Sequence, residues 1–444
     1  MTMHHAAIKS IPLPCRRLGD GKLHHFFGYY NKSTWDRSDR YVLAQRVPMA
    51  DADLHPGLVA EIGYFDTHDN DHFHKVGETT AWNWQMGAQL QWLDGAPGQQ
   101  LIYNCRSDNS SAFYPCLGSV IHDVATGVTR RLPMPVYVVA PDGRYALCVD
   151  YHRLYVTHQT IGYSDESSPR ARPALELAPA HDGIHVMDLE SGHARLIASY
   201  QDLRNFHPVP SMDNAIHWVS HIEINPSSSR VLFLHRWTER VEDETCFLHR
   251  LITVNADGTD MRLLECSDHP LPQLAEHFDP TAAGTFDYEK SEYQISHPLW
   301  KDDKHIIVWG PHNGSIHYHL YEDRTGGNVH VIGAGLLTEN GHMTFSRIHP
   351  EWMLSDTYPD ASSNERILFL YHVGHGVRYD IGMFYTSPNL RKENRCDLHP
   401  RWSRDGTRVC IDSIHEGSRQ MYILEVGALV NRPGFSTGEL SQSL

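Results

Sequence analysis

Along most of the chain, hydrophobic positions come in runs of four or five set between short polar turns. One unit recurs: an aromatic residue or proline, a polar turn carrying Asp or Gly, an apolar run, and then a second strand-like run. Seven copies read WDRSDRYVLAQRV, WLDGAPGQQLIYNC, VAPDGRYALCVDY, INPSSSRVLFLHRW, WKDDKHIIVWG, IHPEWMLSDTYPD and WSRDGTRVCIDSIH. After most copies a further strand and turn follow, as in HDVATGVTRRL, MDLESGHARLI and VNADGTDMRLL. The short runs alternate in polarity with a period of two and are bounded by turn residues, which is the signature of β-strands. A helical period sustained over three turns is hard to find. Where uninterrupted, the copies are spaced by about 50 residues, within the range of propeller blades.

A four-stranded blade cannot bury both faces by itself. Seven stacked blades can, and they leave only short edges exposed. The pattern therefore predicts an all-β, seven-bladed β-propeller forming one domain over residues 1–444, closed by an N-terminal strand that joins the last blade. Two stretches break the spacing, near 157–182 and near 266–292, and read as long loop inserts on one face of the propeller.

Composition narrows the function. The 444 residues carry a net charge of −16, and no basic patch stands out that could displace counterions from a phosphate backbone, so nucleic acid is excluded as a partner. No apolar run approaches the ~18 residues of a membrane span, and the N-terminal stretch lacks the apolar core of a secretory signal. The eight cysteines show neither paired metal spacing nor a dense framework, and read as reduced thiols of a cytoplasmic protein.

Histidine, at 33 copies, is the unusual entry in this composition. Aligning the repeats by their turns puts His221 five residues before Pro226 in the fourth copy and His297 just before the strand leading to Trp300 in the fifth. His342 occupies a similar place in the sixth, and Asn394, Asp397 and His399 crowd into NRCDLHPRW in the seventh. All fall where the innermost strand of a blade begins, so residues distant in sequence would converge on one mouth of the central channel. A single histidine there reads as a channel-lining group bonded to backbone or water. Two imidazoles, a carboxylate and an amide oxygen (His297, His399, Asp397 and Asn394) instead suit a divalent cation, with Mn²⁺ or Zn²⁺ favoured by the mixed donors and Ca²⁺ the oxygen-preferring alternative.

The succession HIEINP…LFLHRW, SHPLWKDD, GHMTFS and CDLHPRWSRDGTRVCIDSIHEGSRQMYILEV, with HHFFGYYNKSTWDRSDRYVLA near the N-terminus, resembles the oligogalacturonate lyase family of polysaccharide lyases. Ulvan-type lyases on the same seven-bladed scaffold are a related comparison. The resemblance implies a general base at His221, a metal-binding histidine at His297, and three further ligands where the family has Gln-x-x-His-x-His. Those positions are Asn394, Asp397 and His399 here, so the implied cation site is richer in oxygen. The family's arginine ahead of the strand preceding the base has no counterpart in PAHDGIHVMDL. Either Arg106, Arg236 or Arg395 takes its place, or the uronate glycan is a different one.

The implied chemistry is metal-assisted β-elimination from a uronate-containing oligosaccharide or polysaccharide. A base takes the C5 proton, the C4 substituent leaves, and the cation, Mn²⁺ first among the candidates, neutralises the carboxylate as charge develops. His221 is the expected base, with Arg236 as a second catalytic group. Tyr30, Trp84, Arg106, His342 and Arg395 are the expected substrate contacts, because guanidinium groups pair with carboxylates and aromatic faces stack on sugars. Trp84 also has the alternative of blade packing, and Asp356 reads as a turn residue ahead of Pro359. A glycoside hydrolase would call for two carboxylates flanking the bond, and a binding propeller for a docking face without clustered ligands. Both stand as alternatives to the lyase.

Overall fold

The computed structural model describes residues 7–95, 99–107, 117–164, 175–239, 241, 247–266, 295–390 and 394–432. Among them the strands assemble into seven sheets, six of four strands and one of five. The sheets are consecutive in sequence, and their first strands are His24–Phe26, Gln91–Trp92, Val138–Val139, Ile216–Ile224, Ser296–Trp300, Thr344–Phe345 and Arg401–Trp402. These are blades 1 to 7 of the seven-bladed β-propeller that the turn pattern predicts.

The expected closure is present. Blade 7 takes its outer strand from Cys15–Arg17, which pairs antiparallel with Gln420–Glu425, with Cys15 opposite Leu424. A second N-terminal segment, Ala7–Ser10, adds a parallel fifth strand to blade 6 along Val377–Tyr385. Nothing in the repeat pattern foretold that strand, because it belongs to no copy of the unit.

The packing divides into two compact units. Residues 1–52, 61–77 and 331–444 form the first, which carries blades 6, 7 and 1; residues 53–60 and 78–330 form the second, which carries blades 2 to 5. In each, the core lies between neighbouring blades. Trp352, Leu354, Leu368 and Leu370 of blade 6 meet Val409, Ile411, Tyr422 and Leu424 of blade 7. Leu232, Leu234 and Leu251 of blade 4 meet Ile306, Val308 and Tyr321 of blade 5. A Leu→Ala change in such a layer costs about 2–5 kcal/mol. Packing on both faces also explains why strand Arg230–Thr238 is buried at all nine positions, where one solvated face would have left every second residue exposed.

Helix is confined to short connectors. Helix α1 (Tyr151–Thr157) is capped by the Asp150 side chain, which accepts from His152 N–H, and it ends where the first insert begins. Helix α2 (Tyr200–Asn205) starts with a reciprocal Ser199–Asp202 capping box. Residues 165–174 of the first insert, and the second insert beyond Cys266, lie outside the described residues. The described cysteines are free thiols. Among the described residues no helix is long and apolar enough to cross a membrane.

Candidate functional site

One register position links the candidate residues. In every blade a backbone hydrogen bond closes the turn after the first strand, donated by Asp36, Leu93, Ala140, Asn225, Lys301, Ser346 and Ser403. Counting back four residues from each donor gives Lys32, Gln89, Val136, His221, His297, His342 and His399. Four of these non-glycine residues hold a positive φ: Gln89 at 53°, His221 at 52°, His297 at 52° and His399 at 43°. The ladders of blades 4 and 5 shift register there, between Ser220 and Glu223 and between Ser296 and Leu299. Such a bulge re-aims a side chain and leaves one residue outside the pairing. That is why proline can follow His297 although it has no N–H to give, whereas the proline after His399 lies just ahead of strand Arg401–Trp402. A residue before proline ordinarily favours extended backbone, so left-handed histidines at these two places are strained, a condition that concentrates at functional sites.

In the first unit the structure gathers His342, Asp397 and His399, whose ligating atoms lie within 4.8 Å of one another. All three are buried. Asp356 accepts from both the backbone N–H and Nδ1 of His342, at 2.7 and 2.9 Å. This fixes the ring and makes Nε2 its ligating nitrogen, the arrangement in which a carboxylate orients a metal-binding imidazole. The close fit requires glycine at position 341, where a Cβ would fall 1.9 Å from the Asp356 carbonyl oxygen. Asp356 is therefore not the turn residue the sequence suggests; it sits at the end of strand Trp352–Asp356 and serves His342.

Around Asp397 lie two guanidinium groups. Arg395 Nε donates to both carboxylate oxygens, at 2.8 and 2.7 Å. Arg366 Nη2 stands 2.6 Å from Oδ1, off the hydrogen-bonding direction, so this contact is an ion pair rather than an aligned bond. Burial works against the charge, but Arg395 and Arg366, with His342 and His399, hold the Asp397 carboxyl well below its ordinary range. Burial first and His342 second push the His399 imidazole well below its ordinary value, against the pull of Asp397. Tyr358 has Arg395 and Arg366 over its ring at 5.4 and 5.8 Å, and its centroid is 5.6 Å from that of His342. Tyr29 and Tyr30 close the other side, with ring centroids 5.0 Å from His399 and 5.3 Å from His342 respectively.

The donors of this group fit a divalent cation. Two imidazoles and a carboxylate converge; one of the imidazole nitrogens, His399 Nε2, and one further atom, Asn394 Oδ1, are buried without a hydrogen-bond partner among the described residues. Buried polar atoms rarely go unsatisfied, and both are atoms a cation would take up. Arg419 anchors Asn394 from behind by donating to its carbonyl oxygen at 2.6 Å.

The second unit holds a different cluster. His221 and His297 face each other with ring centroids 6.2 Å apart. Each pairs through Nδ1 with the hydroxyl of the preceding serine, Ser220 at 3.0 Å and Ser296 at 3.1 Å. The His221 backbone N–H donates to the Tyr137 hydroxyl at 2.9 Å. Nearby, Arg236 lies 4.5 Å over the Phe247 ring and donates from Nη1 to His158 Nδ1 at 2.7 Å. Burial, then the Arg236 guanidinium, then His297, His158 and His249 hold the His221 imidazole well below its ordinary value. Burial and Arg236 do the same to His158 and His249.

The expected site residues thus fall into two groups. Asn394, Asp397, His399, Arg395, His342 and Tyr30 come together in the first unit, where His342 supplies a candidate ligand instead of a substrate contact. His221, His297 and Arg236 come together in the second. Arg106 belongs to neither group in its described contacts; its guanidinium donates to the Ser164 carbonyl oxygen. Trp84 is 2% exposed and packs edge to face on Trp82 at 4.9 Å, so its indole has no open face for a sugar and it belongs to the core. Sequence reasoning missed Arg366, Tyr29, Asp356 as the partner of His342, and the register equivalents Lys32 and Gln89. The last two could have been found by counting four residues back from the turns of blades 1 and 2.

No protein-family model matches the chain, and no curated protein matches it in sequence. In structure it is similar to an oligogalacturonate lyase in complex with manganese, with a TM-score of 0.58 and 14% identity, covering 95% of this chain and 98% of that one. It is also similar to an oligogalacturonate lyase from Vibrio parahaemolyticus, with a TM-score of 0.55 and 13% identity, covering 94% and 98%. At these identities the likeness is one of fold.

Proposed function

We propose that the protein is a lyase that cleaves a uronate-containing glycan by β-elimination, with a divalent cation, Mn²⁺ first among the candidates. The observation that carries this reading is the buried group of His342, Asp397 and His399 with ligating atoms within 4.8 Å. The likeness in fold to an oligogalacturonate lyase in complex with manganese supports it. His342 Nε2, the Asp397 carboxylate, His399 Nε2 and Asn394 Oδ1 would hold the cation. A bound divalent cation supplies Lewis-acid neutralisation of a carboxylate.

The remaining chemistry belongs to the chain's own side chains. With Nδ1–H donated to Ser220 Oγ, His221 carries its basic lone pair on Nε2. It accepts the C5 proton; the C5–H electron pair becomes the C4–C5 double bond, and the C4–O bond breaks with its electrons going to the leaving oxygen. That oxygen takes a proton from water. A neutral imidazole is required to accept a proton, and burial beside Arg236 keeps His221 neutral. Arg236, which donates to His158 and lowers the His221 imidazole, would meet a substrate carboxylate near the base.

The alternative of a glycoside hydrolase is less well supported. Asp397 is engaged by two arginines and Asp356 by His342, so neither is available as one of a free carboxylate pair. The decisive experiment is a panel of uronate-containing glycans incubated with the protein and Mn²⁺. The expected result is near-ultraviolet absorbance of a C4–C5 unsaturated uronate on at least one of them. Reducing ends released without that absorbance would establish hydrolysis instead.

A further inference from the structure

Asp397 presents a conflict. As a cation ligand it should offer a free carboxylate oxygen, yet both oxygens are engaged: Arg395 Nε reaches Oδ1 and Oδ2 at 2.8 and 2.7 Å, and Arg366 Nη2 stands 2.6 Å from Oδ1. The two arginines differ in freedom. The Arg366 side chain is 1% exposed, on strand Glu365–His372 and held in the interior, whereas the Arg395 side chain is 34% exposed. Leaving Arg366 in place costs nothing in rearrangement; a buried guanidinium without its carboxylate would be strongly disfavoured. Arg395 can turn outward and recover water.

Charge counting points the same way. Without a cation, Asp397 and Asp356 balance Arg366 and Arg395. A divalent cation held by the His342–Asp397–His399 group adds two positive charges within a few ångströms of Arg395, in a buried setting where like charges repel most strongly. The excess is relieved when Arg395 leaves Asp397 and when a negative ligand arrives.

We propose that Arg395 is the displaceable counter-ion of the cation site. The cation and Arg395 compete for Asp397, and cation binding hands the Arg395 guanidinium to a carboxylate-bearing sugar. Cation and uronate then bind with positive cooperativity, and by linkage each tightens the other by the same factor. The inference rests on the cation reading above. It makes Arg395 a substrate-binding residue whose loss strengthens metal binding, the reverse of what a purely structural role or a further ligand would do.

The test is a Mn²⁺ titration followed by the paramagnetic resonance signal of free Mn²⁺, with wild-type protein and with R395Q, each with and without galacturonate as the carboxylate probe. Arg395 is partly exposed, and near-ultraviolet circular dichroism verifies that R395Q is folded. R395Q is expected to bind Mn²⁺ about tenfold more tightly than wild type, within the usual range of coupling between sites. Galacturonate is expected to tighten Mn²⁺ binding several-fold in wild type and to lose that effect in R395Q. Equal or weaker Mn²⁺ affinity in R395Q, or an equal galacturonate effect in both proteins, overturns the proposal and leaves the cation reading standing. If neither protein takes up Mn²⁺, the cation reading itself falls, and this inference falls with it.

Discussion

The two histidine clusters are built on the same backbone position but in opposite electrostatic styles. In the first unit, His342 and His399 share their surroundings with two carboxylates and two guanidinium groups, each of them paired. In the second, His221 and His297 are joined by hydroxyls and further imidazoles, with Arg236 the cation beside them. The first arrangement keeps a carboxylate ionised inside protein, which is a condition for gripping a cation. The second keeps imidazoles neutral, which is a condition for accepting a proton. In the proposed reading the same position ahead of the turn serves two tasks, and the difference lies in what the neighbouring strands contribute.

Variants can pull the two styles apart. The largest expected effect is on turnover: H221A should lower kcat by about 10²–10⁴-fold while Mn²⁺ affinity and folding stay as in wild type. Retained turnover would remove His221 as the base and dissolve the contrast. The mirror case is D356N, which leaves the second cluster untouched but loosens the orientation of His342. Loss of a carboxylate that orients a ligating imidazole weakens metal binding by about 10–100-fold, so a Mn²⁺ titration should show that loss. An unchanged affinity would mean that His342 is not a ligand.

The smallest expected effect is on stability against pH. Buried His221, His158, His249 and His235 are held well below their ordinary values, and His217 at about 4, with burial the leading cause throughout. In the unfolded chain these rings titrate near about 6.5. Below that pH the unfolded state binds more protons than the folded one, so their contribution is present above about 6.5 and is lost as pH falls. Thermal melting should therefore show Tm dropping between about pH 7 and about pH 5. A flat profile would show that these imidazoles are protonated in the folded protein, contrary to the neutral style assigned to the second unit.

How much of this was legible in the sequence differs by element. The blades were, because an Asp-Gly or Asp-Asp turn before an apolar run is a local signal that packing does not overrule. The histidines on first strands were legible for the same reason, being counted from those turns. Arg366 was not: it lies in the third strand of blade 6, and no local feature tells which partner a mid-strand arginine will meet. Asp356 looked like a turn residue because of Pro359 behind it, and only the register of its strand reveals that it faces His342. Trp84 was ambiguous by nature, since an indole that packs between strands and one that stacks on a sugar are the same residue with different neighbours.

The way blade 7 is completed has a consequence for folding. Its outer strand, Cys15–Arg17, is synthesised long before its partner, Gln420–Glu425, with almost the whole propeller between them in sequence. Asp397 and His399 lead into that blade, so their surroundings are complete only once these two distant segments have met. Forming so long-range a pairing costs loop-closure entropy, which makes the closure of blade 7 a late step of folding.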